Sequence, residues 1–161
     1  MPKASSDDMV QEPPPWEVIF HDEFRPEFDA LDEDVQLAIL ASAKNLKKDG
    51  PRLGRPKVDT LNGSKFANMK ELQISEDGPW RVAFAFDPKR RAVLLWAGNK
   101  SGMSEDLFYK TLLRHADKRY DQHREVVEAE LKQVRQQAEQ AKKKVNGKSF
   151  PPATRQKKRK R

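Results

Sequence analysis

The stretch "WRVAFAFDPKRRAVLLWAGNK", Trp80–Lys100, decides the fold. Its first half alternates. Trp80, Val82, Phe84 and Phe86 fall on one face of a strand, and Arg81, Ala83 and Ala85 fall on the other. "DPKR" (87–90) has proline at the second position of a turn. "AVLLWAG" (92–98) reads as the returning strand. The hairpin is apolar, yet an arginine stands second in it and a lysine last. A buried cation is costly unless something anionic meets it. The stretch therefore predicts a sheet and raises the identity of an anion.

The neighbouring segments extend the sheet. "NMKELQIS" (68–75) reads as a strand, turned by "EDGP" (76–79), with Met69, Glu71 and Gln73 on one face and Lys70, Leu72 and Ile74 on the other. "WEVIF" (16–20) alternates in the same way. "EFRPEFDAL" predicts a short helix with Pro26 near its first turn. In "LDEDVQLAILASAKNLKKDG", Asp32 stands as N-cap, and Val35, Ile39, Ala43 and Leu46 recur at helical spacing. Lys47 and Lys48 fill the last turn, and Gly50-Pro51 stops the helix. Residues 50–65 read as a basic loop. From Ser104, an N-cap followed by Glu105 and Asp106, a helix runs with no Gly or Pro until Gly147. The order predicts an α+β domain. Its small antiparallel sheet, an N-terminal strand plus a three-stranded meander, packs on N-terminal helices and is followed by a long C-terminal helix.

The formal net charge of +7 hides a division. Residues 1–49 carry a net −7, residues 50–119 a net +6, and Lys142–Arg161 ten cations with no acid. The basic middle segment is the informative part. Four regions are expected: a disordered leader over 1–15 ending in three prolines, a domain over 16–123, a helical extension over 124–145, and a basic disordered tail over 146–161. In the extension, Val127, Leu131, Val134, Ala138, Ala141 and Val145 form a heptad-like seam, suited to a partner helix, to self-association or to a solvated single helix. The absence of cysteine fits a reducing cytosol. No signal peptide is recognisable, and the apolar run Ala92–Ala97 is too short to span a bilayer. A soluble cytoplasmic protein without a membrane partner is expected.

The face bearing Arg81, Ala83 and Ala85 is expected to be open and shallow, able to receive a phosphate backbone or to be covered by a partner segment. Arg binds phosphate bidentately, Lys acts as a point charge, and Tyr109 could stack on a base. The competing reading pairs Arg81 with Glu71 across the ladder and gives it only a structural role. His21, His115 and His123 lack convincing ligand spacing with carboxylates, so neither a metal nor another cofactor is expected.

Taken together, "WEVIFHDEFRPEFDAL", "GPRLGRPKVDTLNGSKFANMKEL", "WRVAFAFDPKRRAVLLWAGNKSG" and "FYKTLLRHAD" resemble the RelE/HigB superfamily of type II toxin–antitoxin toxins. The closer likeness is to the phage-derived, HigB-like branch, over about residues 16–123. The resemblance implies a metal-independent endoribonuclease that cuts mRNA, usually on the ribosome, and an antitoxin partner of helix-turn-helix type. It implies that Arg81 holds the scissile phosphate. Lys100 would stabilise developing charge or protonate the leaving oxygen, Lys70 would bind phosphate or act as base, and Tyr109 would stack or orient. Glu71 is a further candidate base. Gln73, Arg55, Lys65, Arg90 and Arg91 are the expected RNA contacts. Gln73 departs from the family, which commonly has arginine there. That leaves open an alternative: a non-enzymatic binder, either a ParE-like gyrase inhibitor or a degenerate toxin that binds only antitoxin or RNA.

Overall fold

The computed structural model describes residues 15–76 and 78–147. The expected leader, except Pro15, and the tail beyond Gly147 lie outside these residues. In chain order the elements are β1 (Glu17–Phe20), α1 (Phe24–Asp29), α2 (Glu33–Asp49), a 3-10 turn (Gly50–Arg52), β2 (Val58–Thr60), β3 (Met69–Ile74), β4 (Trp80–Phe86), β5 (Arg91–Asn99) and α3 (Glu105–Gly147). Two units are distinguished, Met1–His123 and Arg124–Arg161. No helix among the described residues is long and apolar enough to cross a membrane.

The sheet runs β1-β5-β4-β3-β2. Three of its pairings are antiparallel, but β1 lies parallel to β5, with Val18 opposite Ala92 and Phe20 opposite Leu94. The sheet is therefore mixed, because α1 and α2 follow β1 and return the chain before the meander begins. It also gains an edge strand, β2, inside the expected loop. Three residues show no readable alternation, but Gln73 N–H donates to Lys57 O at 2.8 Å and Leu61 N–H to Met69 O at 3.0 Å, which continues the ladder.

Each face of the sheet has its own core. On one, Val82, Phe84, Leu72, Ile74 and Leu94 pack with Phe24, Phe28, Val35, Ile39 and Leu46 of α1 and α2. This is the periodicity read from the sequence, and Trp80 and Phe86 join it from the rim. Asp32 does stand at the α2 N-cap, but its side chain makes no capping hydrogen bond. Ser104 does cap α3, its Oγ accepting from Leu107 N–H at 3.2 Å.

The second face corrects an expectation. Ala83 and Ala85 do not line an open surface. Both are fully buried, packed with Met69, Val93 and Leu95 beneath Phe108, Leu112, Ala116 and Tyr120 of α3. Their smallness lets the helix approach the sheet. Gly98, opposite Arg81, serves the same end: a Cβ there would lie 3.1 Å from the Phe108 ring and 2.4 Å from that of Trp96. At the Arg81 end of this face the cover thins, and Arg81 and Gln73 are half-buried.

Two polar networks fasten this arrangement. Arg119 of α3 donates to Leu95 O at 2.7 Å and spans the Glu27 carboxylate of α1 at 2.6 and 2.9 Å. Asp87, at the β4–β5 turn, accepts from Arg91 Nε and lies within hydrogen-bond distance of His123 Nε2, both at 2.8 Å. Burial pushes the Asp87 carboxyl up, but the bonds from His123 and Arg91 outweigh it and hold it at about 2.

Candidate functional site

Side-chain parity and register bring one set of residues together at the end of the second face. Arg81 of β4 lies opposite Gln73 of β3, and Glu71 lies opposite Ala83, one diagonal step away. Tyr109 reaches the sheet from the second turn of α3 and donates its hydroxyl hydrogen to Glu71 Oε1 at 3.0 Å. Lys100 follows β5 directly. Its backbone N–H is fixed to Pro79 O at 2.8 Å, and its ammonium stands 5.4 Å from the centre of the Tyr109 ring and 3.9 Å from Glu105 Oε1.

The bonding of Arg81 is loose for so enclosed a group. Its side chain is 15% exposed, its Nε is 3.9 Å from Glu71 Oε1, and Nη1 donates to Trp80 O at 3.0 Å. The buried Nε has no hydrogen-bond partner. Arg81 does face Glu71, but diagonally and at the outer limit of an ion pair. Burial pushes the Glu71 carboxyl above its ordinary value, although Tyr109, Arg81 and Gln73 pull it down. Burial also raises the Tyr109 phenol, and the Glu71 charge adds to this. A carboxyl raised in this way takes up a proton more readily than an ordinary glutamate.

Beside this cluster lies a cleft of about 270 Å³ lined by Asp59, Thr60, Leu61, Asn62, Glu71, Glu105 and Tyr109. Its position depends on β2, the strand with no sequence signal, so Asp59, Thr60 and Asn62 did not stand out as site residues. Among the described residues, no group of three His, Asp or Glu side chains is arranged to hold a metal.

The other candidates are dispersed. Lys70 lies on the opposite sheet face, opposite Phe84 in register, with Nζ 3.4 Å from Thr60 Oγ1. Arg55 is 80% exposed and paired with Asp59 at 3.2 Å. Lys65 is bonded to Asp121 and stands 5.3 Å from the Phe66 ring centre. Arg90, in the left-handed region at φ 62°, covers the Trp16 ring at 4.5 Å. Arg91 is committed to Asp87. Parity places Gln73 with Arg81, opposite it in register, where it helps to pull the Glu71 carboxyl down. Arg119 carried no signal in the sequence, because its partners lie 24 and 92 residues away.

The chain is similar in sequence to known proteins. The family described as "Phage derived protein Gp49-like" matches residues 26–121. A Mycobacterium tuberculosis protein named "Putative toxin HigB2" is 40% identical over 95 residues, which cover 58% of this chain and 47% of that protein. A second from the same organism, "Putative toxin HigB3", is 45% identical over 75 residues, covering 47% of this chain and 65% of that one. The match thus spans between about half and two thirds of these relatives. A solved structure of a free mutant of the E. coli toxin RelE aligns with 11% identity and a TM-score of 0.46, covering 62% of this chain and 94% of that one.

Proposed function

Because the chain belongs to the Gp49-like family of phage-derived proteins, we propose that it is the toxin of a type II toxin–antitoxin pair and that it acts by cutting mRNA on the ribosome. The observation that carries this reading is the cluster of Arg81, Glu71, Tyr109 and Lys100, with an under-bonded guanidinium beside a carboxyl pushed up by burial. The relatives named as toxins support the biological role.

The reaction is a transfer within the RNA. The ribose 2′-oxygen attacks the adjacent phosphorus, a new O–P bond forms, and the bond to the 5′-oxygen breaks. Glu71 takes the proton from the 2′-hydroxyl, a role suited to a carboxyl whose affinity for protons is raised. Arg81 meets the phosphoryl oxygens with its guanidinium. Lys100 neutralises or protonates the leaving oxygen, and Tyr109 orients the 2′-hydroxyl or stacks on a base. Lys70, on the other face, is left with a phosphate contact at the sheet edge rather than a place in the proton transfers. The antitoxin, expected to be a helix-turn-helix protein, holds the chain inactive by covering this end of the sheet.

A second reading, a chain that binds but does not cut, is favoured by Gln73 and by the three carboxylates lining the cleft. Expression without an antitoxin separates the two. Growth arrest with cleaved messages, abolished by Arg81→Ala, supports the nuclease. Arrest with intact messages and broken DNA indicates gyrase inhibition, and no arrest indicates the degenerate binder.

A further inference from the structure

The part of α3 in the second unit, residues 124–147, carries a pattern that the proposed reaction does not use. Leu131, Val134, Ala138, Ala141 and Val145 recur at alternating spacings of three and four, which sets them on one stripe of the helix. Val134 is 54% exposed and Val145 65%. Ala138, Ala141, Lys142, Val145 and Asn146 border a shallow depression on the stripe. An apolar stripe with this period is the surface that another helix covers.

The flanking charges say which helix. Glu128 and Glu130 border the stripe at its N-terminal end, and Lys142 and Lys144 border it at its C-terminal end. Two parallel copies would bring the acidic ends together and the basic ends together. Two antiparallel copies bring Glu128 to Lys142 and Glu130 to Lys144, twice over by symmetry.

We infer that residues 128–145 pair with the same segment of a second copy of this chain, as antiparallel helices. Leu131 then meets Ala141, and Val134 meets Ala138. Each layer sets a large side chain against a small one, so the backbones approach closely and the seam fills evenly. A shift of one heptad one way would set Arg135 against Lys142, and the other way would keep only the Glu128–Arg135 attraction, so charge also favours this register. In the selected register the two Arg135 side chains flank the two-fold axis, the one like-charge contact of the pair. This surface is independent of the proposed cleavage site.

The test is analytical ultracentrifugation of the full chain across a wide concentration range. A reversible monomer–dimer equilibrium is expected, weakened at least about tenfold by Val134→Asp. Val134 is exposed, so this variant folds. Arg135→Gln should tighten an antiparallel pair by removing the contact at the axis. It should loosen a parallel pair, in which Arg135 meets Glu130. The chain has no cysteine, so introduced thiols report the pairing directly. A mixture of Leu131→Cys and Ala141→Cys chains should cross-link, and Val145→Cys alone should not. A chain that stays monomeric, a dimer indifferent to Val134→Asp, self-cross-linking at Val145→Cys, or pairing only with a helix of another protein would each overturn the proposal.

Discussion

Arg119 and Arg81 are two enclosed arginines with different surroundings. Each has a buried Nε without a hydrogen-bond partner. Around Arg119 everything else is closed: a bidentate carboxylate at 2.6 and 2.9 Å, a carbonyl at 2.7 Å, and Glu23 at 3.6 Å from Nε. Around Arg81 there is one carbonyl at 3.0 Å, a carboxylate 3.9 Å from Nε, and the hydroxyl of Tyr109 nearby. A guanidinium whose bonds are filled within the fold serves the fold. One with a single carbonyl bond and no close carboxylate retains capacity for an external anion. The contrast separates a clamp from a candidate site, and substitutions can break it or sharpen it.

The largest effect is expected at the clamp. Arg119→Met leaves Glu27 without its bidentate partner and Leu95 O without a donor in a buried setting. It should cost roughly 3–5 kcal/mol in urea denaturation, with any residual folded protein retaining its cleavage specificity. A loss below about 1 kcal/mol would show that Arg119 is no clamp.

Glu71→Gln should act in the opposite sense. The folded carboxyl is raised by burial, so the stability linked to it is fully present in acid and is lost as pH rises through the folded value. At neutral pH its charge burdens the fold. Removing the charge should leave the melting temperature unchanged or higher, while RNA cleavage falls about a hundredfold for want of the base. In the wild type the acidic limb of the pH–rate profile should lie above the ordinary Glu value, a limb the Gln variant lacks.

Asp87 gives the mirror image. Its carboxyl is lowered from 3.8 to about 2, so its stabilisation is present above 3.8 and is lost as pH falls towards 2. Asp87→Asn should cost roughly 2 kcal/mol at neutral pH and little near pH 2. The Arg91 and His123 contacts make this a fold effect, so cleavage by the folded variant should persist.

The smallest effect is expected from Gln73→Arg. It sets a second arginine beside Arg81 in register. RNA affinity should rise by about 1–2 kcal/mol, with a steeper dependence on salt. An unchanged salt slope would place the added cation away from the RNA path.

The parts of this molecule that were legible in the sequence are those governed by local period. The alternation of Trp80, Val82, Phe84 and Phe86 and the spacing of Val35, Ile39, Ala43 and Leu46 gave one core correctly. Ser104 marked the start of α3. The second core was misread because small alanines suit both an open face and a close helix, and only α3 distinguishes these. The parallel pairing of β1 and the three-residue β2 depend on long-range ladder bonds without periodic signal. At the site, parity placed Arg81 with Glu71 and Gln73 and also placed Lys70 on the other face. The weakness of the Arg81–Glu71 pairing and the closure of Arg119 were not legible, since both depend on distances between remote segments.

The central claim is that Arg81 is held for an external phosphate rather than for the fold. The most direct measurement compares wild type and Arg81→Ala on ribosome-bound mRNA, with thermal denaturation of both proteins alongside. Cleavage should fall by about a hundredfold or more, with a melting temperature close to wild type. Undiminished cleavage by a folded Arg81→Ala protein, or unfolding as severe as that of Arg119→Met, would contradict it.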